Sequence, residues 1–246
     1  MPVSLQVAVN PLVIQKLSVT MTLMKIKISI WLKSTAVLIL FFSAELVSAA
    51  TAKVVHIVGE ALAGDGQALL PIKAGEELPV GDTLQTGSGS WVIVDLGDAA
   101  RIKVGDESTV TLRRLGSEIS VELKKGRLYS DVQPKKVKTF VVHTKSAVMG
   151  VRGTKFFAAA GDNLWMCVKE GKVEVELYDK PIEGLKRVLV PEGKGVFLRQ
   201  GRSLTSPQSY AWTKEINWEM EPDAGEIIDL SRIRGGYIDL LRYDYD

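Results

Sequence analysis

The chain has 246 residues, 46% hydrophobic and 24% charged, an ordinary globular balance that suits one domain or two small ones. Four of its 31 basic residues (Lys16, Lys25, Lys27 and Lys33) but one of its 29 acidic ones (Glu45) precede residue 53, so the remainder carries 27 bases against 28 acids. A near-neutral body gives no electrostatic reason to expect nucleic acid as a partner, because that contact relies on basic patches facing phosphates.

The first twenty residues have neither a clean helix period nor a leader pattern, and residues 1–23 read as an extension upstream of a start at Met24. From Met24 the pattern changes: Lys25, Lys27 and Lys33 precede the apolar stretch Ala36 to Ala44, a charged region followed by a hydrophobic one, as in a signal peptide over 24–52. Val47-Ser48-Ala49 and Ala50-Thr51-Ala52 both place small residues at −3 and −1, so the mature chain is expected to begin within Ala50 to Lys53. The uncharged apolar core is about ten residues where a spanning helix needs ~20, which favours cleavage over a retained anchor. No cysteine follows the cleavage region to accept a lipid. The expected location is periplasmic or secreted, with membrane contact only if the leader stays.

From Lys53 to about Gln200, short runs of β-branched and apolar residues are separated by glycine-bearing turns about every ten residues, which favours a sandwich, barrel or solenoid over alternating βα units. Trp91 to Leu96 is one such run, closed by Gly97-Asp98. Ala100 to Val104 and Thr109 to Arg113 alternate apolar and polar residues, the pattern of half-buried strands with one wet face. Further strands are expected at 118–123, 127–132, 139–144, 156–160, 164–168, 172–177, 187–190 and 195–199. Gly97, Gly126, Gly171, Gly193 and Gly201 are read as turns between them. The fold expected over 53–204 is all-β: one elongated two-sheet sandwich or a short β-solenoid.

Near residue 205 the composition shifts. Ser206-Pro207 has the form of a helix start, and Trp212, Ile216 and Met220 recur at i, i+4, i+8, predicting a short amphipathic helix over 208–219 that Pro222 ends. The tail beyond carries Ile227, Ile228, Leu230, Ile233, Tyr237, Leu240 and Leu241. Fully burying such side chains stabilises by roughly 1.5–3 kcal/mol each, so residues 205–246 are expected to pack back onto the β-domain.

Bond-breaking chemistry finds little to work with. Cys167 is the single cysteine and cannot form an internal disulfide; its neighbours Trp165, Met166 and Val168 place it in a buried strand. His56 and His143 are the two histidines, and His143 lies in an apolar strand. Gly87-Ser88-Gly89-Ser90 fails G-x-S-x-G and runs into a strand at Trp91, where a nucleophile elbow requires a helix. Walker A, HExxH, EF-hand and CxxC patterns are absent. Asp95, Asp98, Asp106 and Glu107 sit near consecutive turns, where solvated turn carboxylates explain them more simply than ligands of a hard cation. No catalytic, metal or cofactor site is expected, and the chain is not read as an enzyme.

Several blocks in order carry a resemblance. They are Val58-Gly59-Glu60; Leu78 to Gly87, with Gly81-Asp82 and Thr86-Gly87; Leu123 to Leu128 around Gly126; Phe140 to Thr144; Ala147 to Phe156, reading AVMGVRGTKF; and Val168 to Val173 around Gly171. Together they resemble the FecR domain from Val54 to about Val175. The resemblance implies an extracytoplasmic module whose motif residues here are Gly81, Asp82, Thr86, Gly87, Gly126, Thr144, Val151, Arg152, Gly153, Thr154, Phe156 and Gly171, expected to act structurally. Physically, Asp82 can bond the backbone of a tight turn beside Gly81, Gly153 permits close backbone approach, and the planar fork of Arg152 can tie carbonyls or a carboxylate. The regulator that gave the family its name adds a cytoplasmic segment that contacts a sigma factor; here the leader precedes the domain, and if it is cleaved nothing remains in the cytoplasm to make that contact, so that role is not expected to carry over. Two readings follow: a secreted or periplasmic binding or scaffold protein engaging envelope proteins or cell-wall glycan, or a membrane-anchored signal-transduction component sensing an outer-membrane transporter.

Overall fold

The computed structural model describes residues 51–199, 203–214 and 216–225, which fall within one compact unit, Ala49–Asp246. The expected upstream extension, nearly all of the signal peptide, Gly201 and the tail from 226 onward lie outside the described residues.

The described chain is all-β, with eighteen strands in two sheets that share one strand. Sheet one runs β4 (Glu77–Pro79), β1 (Thr51–Val58), β6 (Trp91–Leu96), β7 (Ala100–Val104), the C-terminal half of β9 (Glu118–Val132), β12 (Lys155–Ala160), β13 (Leu164–Glu170), β17 (Gly195–Arg199), β18 (Ser203–Leu204) and β15 (Glu183–Gly184). Sheet two runs β3 (Leu70–Pro71), β2 (Ala61–Gly64), β5 (Thr83–Thr86), β8 (Thr109–Arg114), the N-terminal half of β9, β10 (Thr139–His143), β11 (Ala147–Val151), β14 (Lys172–Leu177) and β16 (Arg187–Pro191). All pairs are antiparallel except β9–β10 and β15–β18. Of the two architectures expected, the two-sheet form is the one adopted.

Alternation places every second residue between the sheets. Val92, Val94, Ile102, Val104, Leu128, Phe156, Ala158, Met166 and Val168 of sheet one meet Leu84, Val110, Leu112, Val121, Phe140, Val142, Met149, Val173 and Val175 of sheet two in one buried core. The outer face of sheet one is also apolar where Tyr129, Phe157, Trp165 and Cys167 project.

The C-terminal segment covers that outer face, in a form the sequence period does not predict. In place of an α-helix over 208–219, Gln208 exchanges backbone hydrogen bonds with Gly195 (2.9 and 3.1 Å), and only Ala211–Lys214 makes a single 3-10 turn. Ile216 and Met220 are buried and Trp218 is half-buried, so period two replaces period four, and an extended strap lays one side on the aromatic face. The Trp218 ring meets Tyr129 edge-on at 5.2 Å, and buried Lys103 donates to Glu219 O at 3.1 Å while lying over Trp91.

Two belts of turns carry the chain between the sheets. The first belt joins 59–60, 87–90, 105–108 and residue 126. The second joins 80–82, 133–138, 152–154, 171 and 192–194. The segment around Gly126 was expected to be a turn between two strands; β9 instead runs unbroken from Glu118 to Val132 and changes sheets there. Positive φ at Gly126 (95°) lets the backbone bend while the ladder on each side continues.

Candidate functional site

The motif residues are dispersed over both belts and do not converge on one pocket. In the first belt, the Thr86 hydroxyl donates to Gly105 O at 2.5 Å and accepts from Ser108 N at 3.0 Å, and Gly87 N donates to Glu60 O at 3.0 Å. The Ser108 hydroxyl accepts from Arg127 N and donates to Asp106 O, both at 2.8 Å. The Arg127 guanidinium pairs with Asp106 at 2.9 Å. A Cβ on Gly126 would lie 2.1 Å from Ser108 Oγ and 2.4 Å from its Cα, so only glycine closes this knot.

In the second belt, Gly81 N donates to Leu112 O at 2.7 Å and Asp82 O accepts from Leu112 N at 2.9 Å, tying the turn to β8. The Asp82 carboxyl is raised above its ordinary range by burial and then by Asp65. Thr154 exchanges backbone hydrogen bonds with Val132 at 3.1 Å, and its hydroxyl donates to Lys172 O at 3.1 Å. Gly153 lies against Pro134, and Gly171 against Gly153 O and Thr154. Thr144 closes the β10–β11 hairpin by donating to Ala147 O at 3.0 Å, while Val151 and Phe156 are core residues. Arg152 differs from expectation: its side chain is exposed and makes no hydrogen bond or ion pair among the described residues. Thr154 and the glycine contacts lock that turn without it.

The histidines lie apart. The His56 ring lies 5.1 Å from that of Trp91, tilted by 42°, on the outer face of sheet one. His143 Nδ1 hydrogen-bonds Tyr178 Oη at 2.7 Å. Burial, then Arg113, lowers the His143 pKa, with Glu122 opposing. The four turn carboxylates are likewise divided, and three have cation partners: Asp95 holds Arg101 at 2.5 and 2.9 Å, Asp98 holds Lys136 at 2.8 Å, and Asp106 pairs with Arg127. A cleft of about 300 Å³ beside the strap is lined by Asp95, Asp98, Arg101, Asp131, Gln133 and Glu221, and offers no histidine, cysteine or serine. Burial holds Asp131 above the usual carboxylate range, with Lys155 opposing.

The sequence reading missed the free flank of sheet two. Among the described residues strand β16 pairs with β14 alone, and Leu177 N donates to Lys186 O at 2.9 Å, which fixes the phase of the ladder. In that phase Val188 and Val190 turn their backbone groups toward β14, so the N–H and C=O of Arg187 and Leu189 point outward. Exposed apolar side chains gather on the chain around this edge: Tyr178, Ile182 (80% exposed), Leu185 and Leu189 (52%). The other edge strands, β3, β4 and β15, are two or three residues long. Short edges and edge prolines are how sheets avoid unwanted pairing, and Pro191 marks only the last residue of β16.

Among solved structures, two crystal structures of a candidate anti-sigma factor from Parabacteroides distasonis align at 18% identity with a TM-score of 0.45, covering 53% of this chain and 61% of that one. The alignment thus spans about three fifths of that protein's length. No curated protein matches the chain. Residues 82–174 match the family model described as FecR protein, a stretch that begins at the Asp82 turn and ends in β14. The chain therefore carries a FecR domain over residues 82–174.

Proposed function

We propose that this chain is a non-enzymatic binding or scaffold protein of the periplasm or extracellular space, and that it docks an extended segment of an envelope protein as an added strand on β16. The observation that carries this reading is the five-residue edge with outward backbone groups at Arg187 and Leu189, bordered by exposed Tyr178, Ile182, Leu185 and Leu189. Main-chain pairing supplies affinity in such docking, and alternate side chains supply selectivity. Paired turn carboxylates and separated histidines offer no nucleophile with a positioned base, which favours docking over catalysis.

Leu189→Pro tests it. The substitution removes an N–H that the protein's own ladder does not use, so the fold should keep its melting temperature while capture of the envelope partner falls at least about tenfold. Undiminished capture would refute strand docking. N-terminal sequencing tests the location: Ala52 is fully buried and pairs with Leu78, so cleavage after Ala49 preserves β1 and cleavage after Ala52 would remove two of its residues. A mature start at Ala50 is expected. A retained Met24 start would favour the anchored signal-transduction reading instead.

A further inference from the structure

The second belt presents cations that the fold does not use. Lys135, Lys138, Arg152, Lys169 and Lys172 are exposed, and none of their side chains makes a hydrogen bond or ion pair among the described residues. Their neighbours are neutralised: Lys136 by Asp98 at 2.8 Å, and Lys155 by Glu170 and Asp131 at 3.3 and 3.8 Å. Glu192 is the acid left over, and its Oε2 accepts Gly171 N at 3.3 Å.

These cations are held close by the backbone. Pro134 packs on Gly153, Gly171 packs on Gly153 O and Thr154, and Thr154 Oγ1 reaches Lys172 O, so Lys135, Arg152 and Lys172 project from three turns in mutual contact. Lys135 is moreover one of two described non-glycine residues with positive φ (68°). Such a conformation is strained for a β-carbon-bearing residue, and residues held this way gather at ligand sites.

The chemistry of the surface selects the class of partner. No large apolar side chain is exposed on turns 133–138, 152–154 and 171, since Val137 and the preceding Val151 are both buried; the exposed valine of this end, Val80, lies on the separate turn tied to β8. Protein interfaces centre on aromatic and apolar groups and are depleted in lysine, so a protein is a poor fit. The cleft beside the strap and the small one at Asp106, Glu107, Gly126 and Arg127 include none of the five cations. Single charges spread across adjoining turns suit an extended chain with repeating negative groups.

We infer that this end of the domain binds an acidic polysaccharide, with Lys135, Arg152 and Lys172 at the centre of the contact and Lys138 and Lys169 at its margins. This names a second partner for the scaffold reading and rests on that reading only for its extracytoplasmic location.

The experiment measures binding of the mature protein to polygalacturonate at low ionic strength, beside poly-L-glutamate as a carboxylate-bearing polypeptide. The combined variant Lys135→Ala, Arg152→Ala, Lys172→Ala should bind polygalacturonate at least about tenfold more weakly, the product of a two- to threefold loss per exposed charge. A control of equal charge change, Lys73→Ala, Lys124→Ala, Lys125→Ala, should stay within about twofold of wild type. Equal losses in the two variants would overturn the site, and tighter binding of polyglutamate than of polygalacturonate would overturn the polysaccharide. Leu189→Pro should bind polygalacturonate as wild type does, so failure of strand docking and failure of this inference are read separately.

Discussion

Gly126→Ala isolates what the sheet-to-sheet crossing requires. Two costs add. Alanine at φ 95° meets backbone strain of about 1–2 kcal/mol. Its methyl would sit 2.1 Å from Ser108 Oγ and 2.4 Å from Ser108 Cα, so Ser108 must move and leave the Arg127 N–H without its 2.8 Å acceptor. A buried donor stranded in this way costs about 1–3 kcal/mol more, giving roughly 2–5 kcal/mol in all. Gly97→Ala is the control, because φ is 66° there and no atom lies within 4 Å of the added carbon. With a urea slope of about 2 kcal/mol/M, Gly126→Ala should lower the denaturation midpoint by about 1–2.5 M and Gly97→Ala by about 0.5–1 M. Equal midpoints would show that the Ser108 knot is not what demands glycine.

Three further outcomes are expected. Gly150 lies mid-strand in β11 without positive φ and with no atom near an added Cβ, so Gly150→Ala should raise stability by about 0.5–1 kcal/mol, and a loss in the same urea titration would contradict its open placement. Cys167 is fully buried and burial pushes its thiol pKa upward, so Ellman's reagent should leave it untouched until the protein unfolds; rapid labelling of native protein would contradict the packing. The folded pKa of His143 lies below its ordinary 6.5, so the unfolded chain binds more protons in the interval between the two values. Its stabilisation is therefore complete above about pH 6.5 and lost as pH falls toward the folded value. His143→Gln should accordingly lose less stability than wild type between pH 7.5 and 5, and an unchanged pH slope would refute the assignment.

Strands with one wet face were readable because alternation writes burial directly into composition. Trp91–Leu96 and Ala100–Val104 carry the expected bounds, and Thr109–Arg114 extends one residue past them. What alternation cannot encode is which of two sheets a strand joins. Leu123 to Leu128 therefore resembled a turn, when Gly126 only bends one strand, and the turn expected at Gly171 gave no sign that β13 and β14 belong to different sheets. The strap failed differently. Ile216 and Met220 fit a four-residue period, but Ile216, Trp218 and Met220 equally fit a two-residue one, and only an apolar outer face decides between them. Arg152 was legible as a motif residue, but its freedom was not, since that depends on Thr154 and two glycines locking the turn without it. The β16 edge left no signal at all, because an unpaired strand reads like a paired one.

One unbroken strand serving both sheets also acts as a common ruler. A one-residue slip of 118–125 against β8 and β10 would carry 126–132 along with it, turning Leu128 and Val132 outward at the same moment as Ile119 and Val121. Misaligned alternatives are thus penalised on two fronts at once, and the two halves are coupled in register through one backbone. A circular permutant opened between Lys125 and Gly126 would retain every residue yet lose that coupling, and its denaturation should broaden or divide into two steps.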